Sequence, residues 1–381
     1  GKIYNVTNWA NHHPGGVTPL LNLAGQDVTD AFLALHPSSA WKYLDQFFTG
    51  YHLQDYNFSE TSKDYRKLVS EFTKLGLYEK KGHVVMILMI LISIMIFMSV
   101  YGVLFSNNFW FILLVVGHYQ VMINPKFNRF AQFLSGNCIA GISIAWWKWT
   151  HNAHHIAVNS LDFDPDLQHM PFFVVSTKFF SSLTSSFYDR KMNFDSISRF
   201  WSVSASDILP CNVLCKNQPL CSIIYVVVFK EKFSYLPNWY ERISFVVASF
   251  AVTGIQHVQF CLNHFSSNHY VGPPSGSDWF EKQTSGTLDI DCPPWMDWFF
   301  GGLQFQVAHH LFPRMPRCHL RKISPLVKEL CKKHNLPYNC ASFWKANALT
   351  FNTLRNAALQ ARDLSNPVPK NLVWEAVNTH G

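Results

Sequence analysis

Charged residues are scarce in this chain. Only 14% of its 381 residues are Asp, Glu, Lys or Arg, whereas soluble domains carry about 25%. Hydrophobic residues make up 48% and aromatic residues 16%. A wholly soluble globular enzyme is therefore not expected, and an intrinsically disordered chain is excluded because apolar side chains are too plentiful.

Cysteine is also sparse, with nine residues spread thinly over the chain. This spacing excludes a disulfide-stapled scaffold and favours reduced thiols. Cys211, Cys215 and Cys221 lie near one another. Because no histidines accompany them at the spacing of a tetrahedral site, they predict no zinc site.

The net charge is +7 at pH 7, and the basic excess is concentrated in the C-terminal part of the chain. This pattern is typical of the cytosolic flank of a membrane protein, and it argues against nucleic-acid binding. The residues concerned are Arg314, Arg317, Arg321, Lys322, Lys328, Lys332 and Lys333.

Three regions follow one another along the chain. Residues 1–57 are polar and rich in turn-forming residues, as in a small soluble domain, and residues 58–82 form a charged linker with helical periodicity. The region 83–381 then opens with a run from Val84 to Phe105 that contains no formal charge. This run is long enough to cross about 30 Å of hydrocarbon, so it predicts a transmembrane helix.

Later apolar segments are more varied. The runs 109–116 and 223–229 are too short to span a bilayer alone. The run 243–262 is long enough but contains His257 between two glutamines, which predicts a helix with one lipid-facing side and one polar interior side. In the C-terminal tail, Ser324 and Pro325 are expected as the N-cap and first residue of a basic amphipathic helix.

The first motif that carries chemistry is His13-Pro14-Gly15-Gly16, followed by a second histidine, His36. Apolar side chains between them can wall a pocket, and the glycines permit a backbone turn beside a flat ring. Two histidines that grip haem from both faces leave no vacant position on the iron, which favours electron transfer. The alternative for an isolated motif of this kind is a glycine-rich surface turn.

The second motif is a pair of histidine clusters. His151, His154 and His155 have the spacing i, i+3 and i+4, so on a helix they share one face. The run Gln306 to His310 repeats this spacing, with Gln306 in place of the first histidine, before His309 and His310. Two such faces can hold iron through neutral imidazoles, with zinc as the main rival metal, and the absence of nearby cysteine favours a two-metal, nitrogen-rich centre.

Together these motifs resemble a known family. Residues 1–51 look like the C-terminal two-thirds of a cytochrome b5 domain, with His13 and His36 at its haem-ligand positions. The family's first strand would precede Gly1, which is not a methionine, so we expect further residues before it. The HxxHH and QxxHH boxes that follow resemble the front-end membrane desaturases over nearly the whole chain. The fold implied is multi-domain: a small α+β haem domain followed by an all-α membrane desaturase domain.

The resemblance also implies a set of ligands, cofactors and partners. The cofactors are haem b and two non-haem iron ions, and the partners are O2, a lipid substrate, a cytochrome b5 reductase as electron donor and the membrane. The implied location is the endoplasmic reticulum membrane, with several spans and with the haem domain and C-terminus on the cytosolic side. The implied iron ligands are His118, from Gly117-His118-Tyr119-Gln120, His151, His154, His155, His264, His309 and His310, with Gln306 as a further site residue.

The chain departs from the family pattern in three places. Leu114 stands where the first box should begin with histidine, the stretch 202–232 no longer resembles the family, and Ala308 replaces a common glutamate. A missing ligand weakens occupancy of one iron. We therefore expect normal haem content, sub-stoichiometric iron and little desaturation from the chain as written, with recovery once a full first box and its helix are restored; His257 is the best substitute ligand.

The finer resemblance is to plant sphingolipid delta-8 long-chain-base desaturases. It is carried by the segments 146–155, 162–169 and 371–381. Three alternatives remain: an acyl-lipid delta-6 front-end desaturase, a related hydroxylase, and a catalytically impaired form that keeps only the haem electron-carrier function.

Overall fold

The structure is a computed structural model that describes residues 1–52, 59–79, 144–167, 175–176, 238–240, 242–243, 259, 261–276 and 279–365. Within these residues the chain is largely helical, with two small sheets. The strands are β1 Lys2–Tyr4, β2 Phe48–Tyr51, β3 Leu288–Asp291 and β4 Asn339–Ser342. The helices are α1 Thr18–Asn22, α2 Thr29–Leu35, α3 Trp41–Leu44, α4 Glu60–Lys74, α5 Ile144–Ile156, α6 Trp279–Ser285, α7 Asp297–Phe300, α8 Gln306–Leu311, α9 Arg317–Lys333 and α10 Phe343–Ser365.

The N-terminal domain is α+β, as the sequence predicts. Strands β1 and β2 pair antiparallel, with Lys2 opposite Tyr51 and Ile3 opposite Gly50. Helices α1 to α3 lie between them in the chain. This pairing joins the two ends of the domain's sequence in one sheet. The loops that carry the two candidate haem ligands lie between these strands in the chain.

Helix α4 occupies most of the segment expected to be a linker. Its first turn is capped by Ser59, whose hydroxyl accepts a hydrogen bond from the Ser62 amide at 3.1 Å. Tyr65 and Phe72, two turns apart, are buried, and the Tyr65 hydroxyl donates to the Leu311 carbonyl at 2.8 Å. The helical periodicity is therefore confirmed, and the helix packs into the same core as α8 and α9.

Helix α9 corrects one expectation. We placed the start of this helix at Pro325, but it begins at Arg317 and contains Pro325 in its interior. A proline inside a helix costs about 3 kcal/mol. Leu320 and Ile323, which precede it, are buried, and burying each such side chain contributes about 1.5–3 kcal/mol. The apolar stripe therefore outweighs the proline, and the helix continues through it.

The second sheet was not predicted. Strands β3 and β4 pair in parallel, with Leu288 opposite Asn339 and Ile290 opposite Ala341. Leu288 and Ile290 are buried in a second apolar cluster, with Phe265 and Leu354. The sheet is too short to alter the largely helical character of this region, but it fixes Asp289 in the interior, below α8.

Within the described residues, none of the helices combines the length and the apolar character needed to cross a bilayer. The expected transmembrane helix at 84–105 lies outside the described residues, as do the apolar runs 109–116 and 223–229, most of 243–262, and the three clustered cysteines.

Candidate metal centre

Three separate parts of the chain bring six histidines together. Helix α5 contributes the HxxHH box, α8 contributes the QxxHH box, and His264 comes from the segment 261–270. The six form two groups whose candidate ligand atoms lie within 4.8 Å of one another. The first triad is His151, His155 and His309, and the second triad is His154, His264 and His310.

The triads lie side by side. The rings of His155 and His310, one from each triad, are the closest pair across the boundary, with centroids 4.4 Å apart. Within the second triad, His154 is 4.5 Å from His264 and 5.0 Å from His310, measured between ring centroids. Two adjacent three-histidine groups are the arrangement expected for a two-metal centre.

Carboxylates orient the histidines of α5. The Nδ1 of His154 lies 2.8 Å from the Oδ2 of Asp164, and the Nδ1 of His151 lies 3.3 Å from the Oδ2 of Asp166. Asp164 is itself fixed, because its Oδ2 accepts a hydrogen bond from the backbone amide of Asn159 at 2.7 Å. A carboxylate that binds one ring nitrogen sets the tautomer and leaves the lone pair on the other nitrogen.

Amide side chains perform the same task for the other box. The Nδ1 of His310 lies 2.8 Å from the Oε1 of Gln283, while the Nε2 of Gln283 donates to the His155 carbonyl at 2.9 Å. The amide of Gln306 donates to the Nε2 of His264 at 3.0 Å. Gln306 therefore contacts a candidate ligand and does not belong to either triad.

Helix α8 is held at its beginning by Asp289. The Oδ1 of Asp289 accepts a hydrogen bond from the Val307 amide at 2.8 Å, and Tyr338 donates its hydroxyl to the Oδ2 at 2.5 Å. A carboxylate at a helix N-terminus is favoured by the unpaired amides and the helix dipole. Burial raises the pKa of Asp289 to about 6.

Burial sets the charge state of the histidines. It lowers the pKa of His155, His264 and His310 well below the ordinary value, and nearby histidines lower it further. In His154 burial also disfavours the charged ring, but the neighbouring Asp164 prevails and raises the pKa. Neutral imidazoles are the form that binds a metal ion.

Two buried ring nitrogens without hydrogen-bond partners indicate that the histidine cluster fits a metal site. The Nε2 of His310 and the Nδ1 of His155 have no hydrogen-bond partner among the described residues, and an unsatisfied buried polar group costs about 1–3 kcal/mol. The Nε2 atoms of His151 and His155 are 3.2 Å apart, close to the separation of two nitrogens that bind one ion at about 2.0–2.1 Å each. Metal binding through the Nε2 atoms of His151 and His155, and through the Nε2 of His310, would satisfy these three atoms, and a set of imidazoles suits iron, zinc or copper.

The candidate haem ligands also meet. The rings of His13 and His36 have centroids 5.8 Å apart and planes inclined by 40°. The Nδ1 of His13 lies 2.6 Å from the Gly16 carbonyl, and the Nδ1 of His36 lies 3.2 Å from the Phe32 carbonyl. Each ring thus donates from Nδ1 and keeps its lone pair on Nε2, as an axial ligand requires. Burial lowers the pKa of His36, which favours its neutral form.

The glycines of the motif have a steric role. Gly16 has φ +87°, a conformation that side chains rarely adopt, and a Cβ at Gly15 would come within 2.9 Å of the Cε1 of His13. The residues present therefore fit a bis-histidine haem.

Sequence reasoning missed the residues that orient the ligands. Asp164 and Asp166 were noted only as part of a family-like segment, and Gln283 and Asp289 carried no signal, because tertiary packing alone brings them to the boxes. The resemblance implies a glutamate at position 308, where this chain has alanine. Ala308 is buried in the apolar core, so its position does not face a ligand, and Asp164 and Asp166 supply the carboxylates instead.

Two positions of the expected first box and the expected substitute ligand lie in parts of the chain that the structure does not describe. His118, Leu114 and His257 lie outside the described residues. The assignment of His118 as an iron ligand, and of His257 as its substitute, therefore stays a prediction from the sequence.

Comparison with known protein families finds a match for both the N-terminal domain and the region that carries the histidine boxes. Residues 116–342 match the Fatty acid desaturase family, and residues 1–53 match the Cytochrome b5-like Heme/Steroid binding domain. No solved structure matches the chain.

Individual relatives match over the full chain. A protein of Helianthus annuus named Delta(8)-fatty-acid desaturase is 56% identical over 421 residues, covering 100% of this chain and 92% of its own length. Delta(8)-fatty-acid desaturase 1 of Arabidopsis thaliana and Acyl-lipid (9-3)-desaturase of Borago officinalis are each 55% identical, covering 100% of this chain and 94% of their own lengths. The match to the Helianthus protein spans 421 residues against 381 here, so that relative carries segments without a counterpart in this chain. The chain belongs to the fatty acid desaturase family, with a cytochrome b5-like domain at its N-terminal end.

Proposed function

We propose that this desaturase introduces a delta-8 double bond into the long-chain base of sphingolipids. The observation that carries the proposal is the pair of adjacent histidine triads, whose buried nitrogens call for two metal ions. The regiochemistry rests on the relatives named Delta(8)-fatty-acid desaturase in Helianthus and Arabidopsis. Removing hydrogen from an unactivated CH2 group demands an oxidising power that amino-acid side chains lack and that a non-haem iron pair supplies with O2.

The residues of the chain would divide the work as follows. His151, His155 and His309 would hold one iron ion, and His154, His264 and His310 the other. Asp164 and Gln283 hold Nδ1 of His154 and His310, so that neither ring can rotate or change tautomer. The site thus keeps its geometry while the charge on the metal changes.

The N-terminal domain would supply electrons through haem b held by His13 and His36. Held by both imidazoles, the haem would serve electron transfer and would not bind O2. A cytochrome b5 reductase is the proposed external donor. We place the protein in the endoplasmic reticulum membrane, with the haem domain and the C-terminus on the cytosolic side, because the basic segments flank the apolar ones.

An acyl-lipid substrate is the second candidate. It is supported by the Acyl-lipid (9-3)-desaturase of Borago officinalis, which is as similar to this chain as the Arabidopsis relative. The two candidates share the metal chemistry and differ only in the substrate chain that reaches it.

Product analysis tests the proposal. Yeast that expresses the chain, with the first box restored to the form in the relatives, is supplied with a saturated long-chain base, and its lipids are analysed by mass spectrometry. A sphingolipid base two hydrogens lighter than its precursor supports the proposal. A product one oxygen heavier indicates a hydroxylase, and unsaturation confined to fatty acyl chains indicates the second candidate.

A further inference from the structure

One haem-ligand loop contacts α5, which carries a histidine box, and the other contacts the loop that follows α8, the second box helix. Gly16 packs against Trp149 of α5, so that a Cβ on Gly16 would meet the Cγ of Trp149 at 3.3 Å. Gly15 is equally close to Asn152, since its added Cβ would lie 3.2 Å from the Nδ2 of that residue. Trp149 and Asn152 flank His151, a member of the first triad.

The loop that carries His36 is held by Arg314, which follows the second box helix α8. Arg314, four residues after His310, donates from Nη1 to the backbone carbonyl of His36 at 2.7 Å. The guanidinium carbon of Arg314 lies 5.1 Å from the ring centroid of Tyr78. Arg314 is thus fixed between an aromatic ring and the backbone of the haem ligand itself.

Other contacts make this interface continuous. Gln26 accepts a hydrogen bond from the Gly276 amide at 2.7 Å, and Asp30 pairs with Arg66 of α4 at 2.7 Å. Leu23 and Ala31 of the haem domain are buried in the same apolar cluster as the core of α8 and α9. The N-terminal domain therefore packs as part of the molecule's interior, with its ligand loops turned towards the boxes.

We infer that these contacts form a fixed electron-transfer interface, in which Trp149 and Asn152 receive the His13 loop and Arg314 is the positioning residue that holds the His36 loop and raises the haem reduction potential. This rests on the proposed function. Each transfer takes one electron from the reduced haem, which is oxidised, and gives it to the metal pair, which is reduced; a reduced flavoprotein replenishes the haem.

The positive charge of Arg314 is the reason why this residue should raise the haem reduction potential. A cation near the haem favours the reduced state, because reduction lowers the positive charge of the iron. The guanidinium is half-buried, so solvent screens its charge less than that of an exposed arginine. The hydrogen bond to the His36 carbonyl also restrains the backbone that sets the axial ring.

The test is the haem midpoint potential of the full chain, measured by spectroelectrochemistry. Arg314→Gln should shift the potential to more negative values, and Arg314→Lys, which keeps the charge, should restore most of the difference. Arg321→Gln is the matched control, because Arg321 pairs with Asp297 inside the desaturase region and does not touch the haem domain. An unchanged potential in Arg314→Gln, or an equal shift in the control, overturns the inference.

A second variant covers the case in which Arg314→Gln does not retain haem. Tyr78→Leu removes the ring that packs against the guanidinium and lets the Arg314 side chain move away from His36, so a smaller negative shift is expected; no shift would overturn the inference. These readouts need haem but no lipid product. A shifted potential in Arg314→Gln, together with no unsaturated base from the chain with its first box restored, would reject the proposed function and keep the interface.

Discussion

At the scale of single residues, both sites depend on which nitrogen of each imidazole carries the proton. His13 and His36 donate from Nδ1 to backbone carbonyls, whereas His154 and His310 are set by the side chains of Asp164 and Gln283. Carbonyl partners come from the local turn and are inherent in the motif. Side-chain partners depend on the tertiary fold and can be replaced one at a time.

Replacement of Asp164 tests the role of the carboxylate. Asp164→Asn keeps the shape but removes the charge that stabilises the His154 N–H, so iron affinity and desaturation should fall about 10–100-fold. The measurement is non-haem iron per chain across a titration with ferrous iron. Asp162→Asn is the control, since the Asp162 carboxylate accepts a hydrogen bond from the Gly272 amide. Equal affinity in the two variants would contradict the assignment.

Replacement of the axial histidines tests the haem site. His13→Ala and His36→Ala should each abolish the low-spin bis-imidazole absorption spectrum and any lipid product, because neither ring has a substitute opposite its partner. Absorption spectroscopy of the purified full chain is the measurement. His12→Ala, which removes the adjacent exposed histidine, should leave the spectrum unchanged. A normal spectrum in either axial variant would refute the ligand assignment.

At the scale of elements, burial overrides local signals. Pro325 marks a helix start in the sequence, yet α9 runs through it because Leu320 and Ile323 extend the buried stripe. The charged segment that contains α4 reads as a linker until Tyr65 and Phe72 are seen in the core. The boxes themselves were predictable, because ligand spacing on one helix face is a local property. Strands β3 and β4 were not, because they are short and pair across a long stretch of sequence.

Asp289, which holds the start of α8, should make the stability of the folded protein depend on pH. The pKa of Asp289 is raised to about 6, against about 3.9 in an unfolded chain. The folded protein thus binds the proton more tightly, so its stability falls as pH rises from about 4 to 6, by about 3 kcal/mol in all.

The variant Asp289→Asn should lack this fall while keeping a hydrogen-bond acceptor for the Val307 amide. The measurement is the free energy of unfolding at pH 4.5 and pH 7 from denaturant titrations. Asp291→Asn, an exposed residue on the same strand, should behave like the unmodified chain. A full fall in stability that persists in Asp289→Asn would show that another group causes it.

At the scale of the whole molecule, the haem domain and the metal centre form one packed unit. The contact of Arg314 with His36 joins residues 278 positions apart, which no local pattern can predict. By contrast, the two histidine boxes and the order of the two domains were predictable from the sequence, because each motif is contiguous. The six histidines of the triads come together, although the sequence predicts an incomplete first box at Leu114.

The departure at Leu114 leads to a prediction for the chain as written. With one histidine fewer than the resemblance to the front-end desaturases implies, it should contain normal haem, less than a full complement of non-haem iron, and little desaturase activity. Restoring the first box and its helix to the form in the relatives should raise both iron content and product. Iron analysis and lipid analysis of the two forms in yeast provide the comparison. Abundant product from the unmodified chain would show that another residue, best represented by His257, replaces the missing ligand.

The most direct test of the two-metal centre uses two neighbouring residues. His309 belongs to the first triad and His310 to the second, so each single replacement by alanine should weaken one metal position. The measurement is non-haem iron and zinc per haem in the chain with the first box restored. We expect close to two irons in the reference, about one in each single variant and almost none in the double variant. Zinc in place of iron, or loss of both ions on either single replacement, would contradict it.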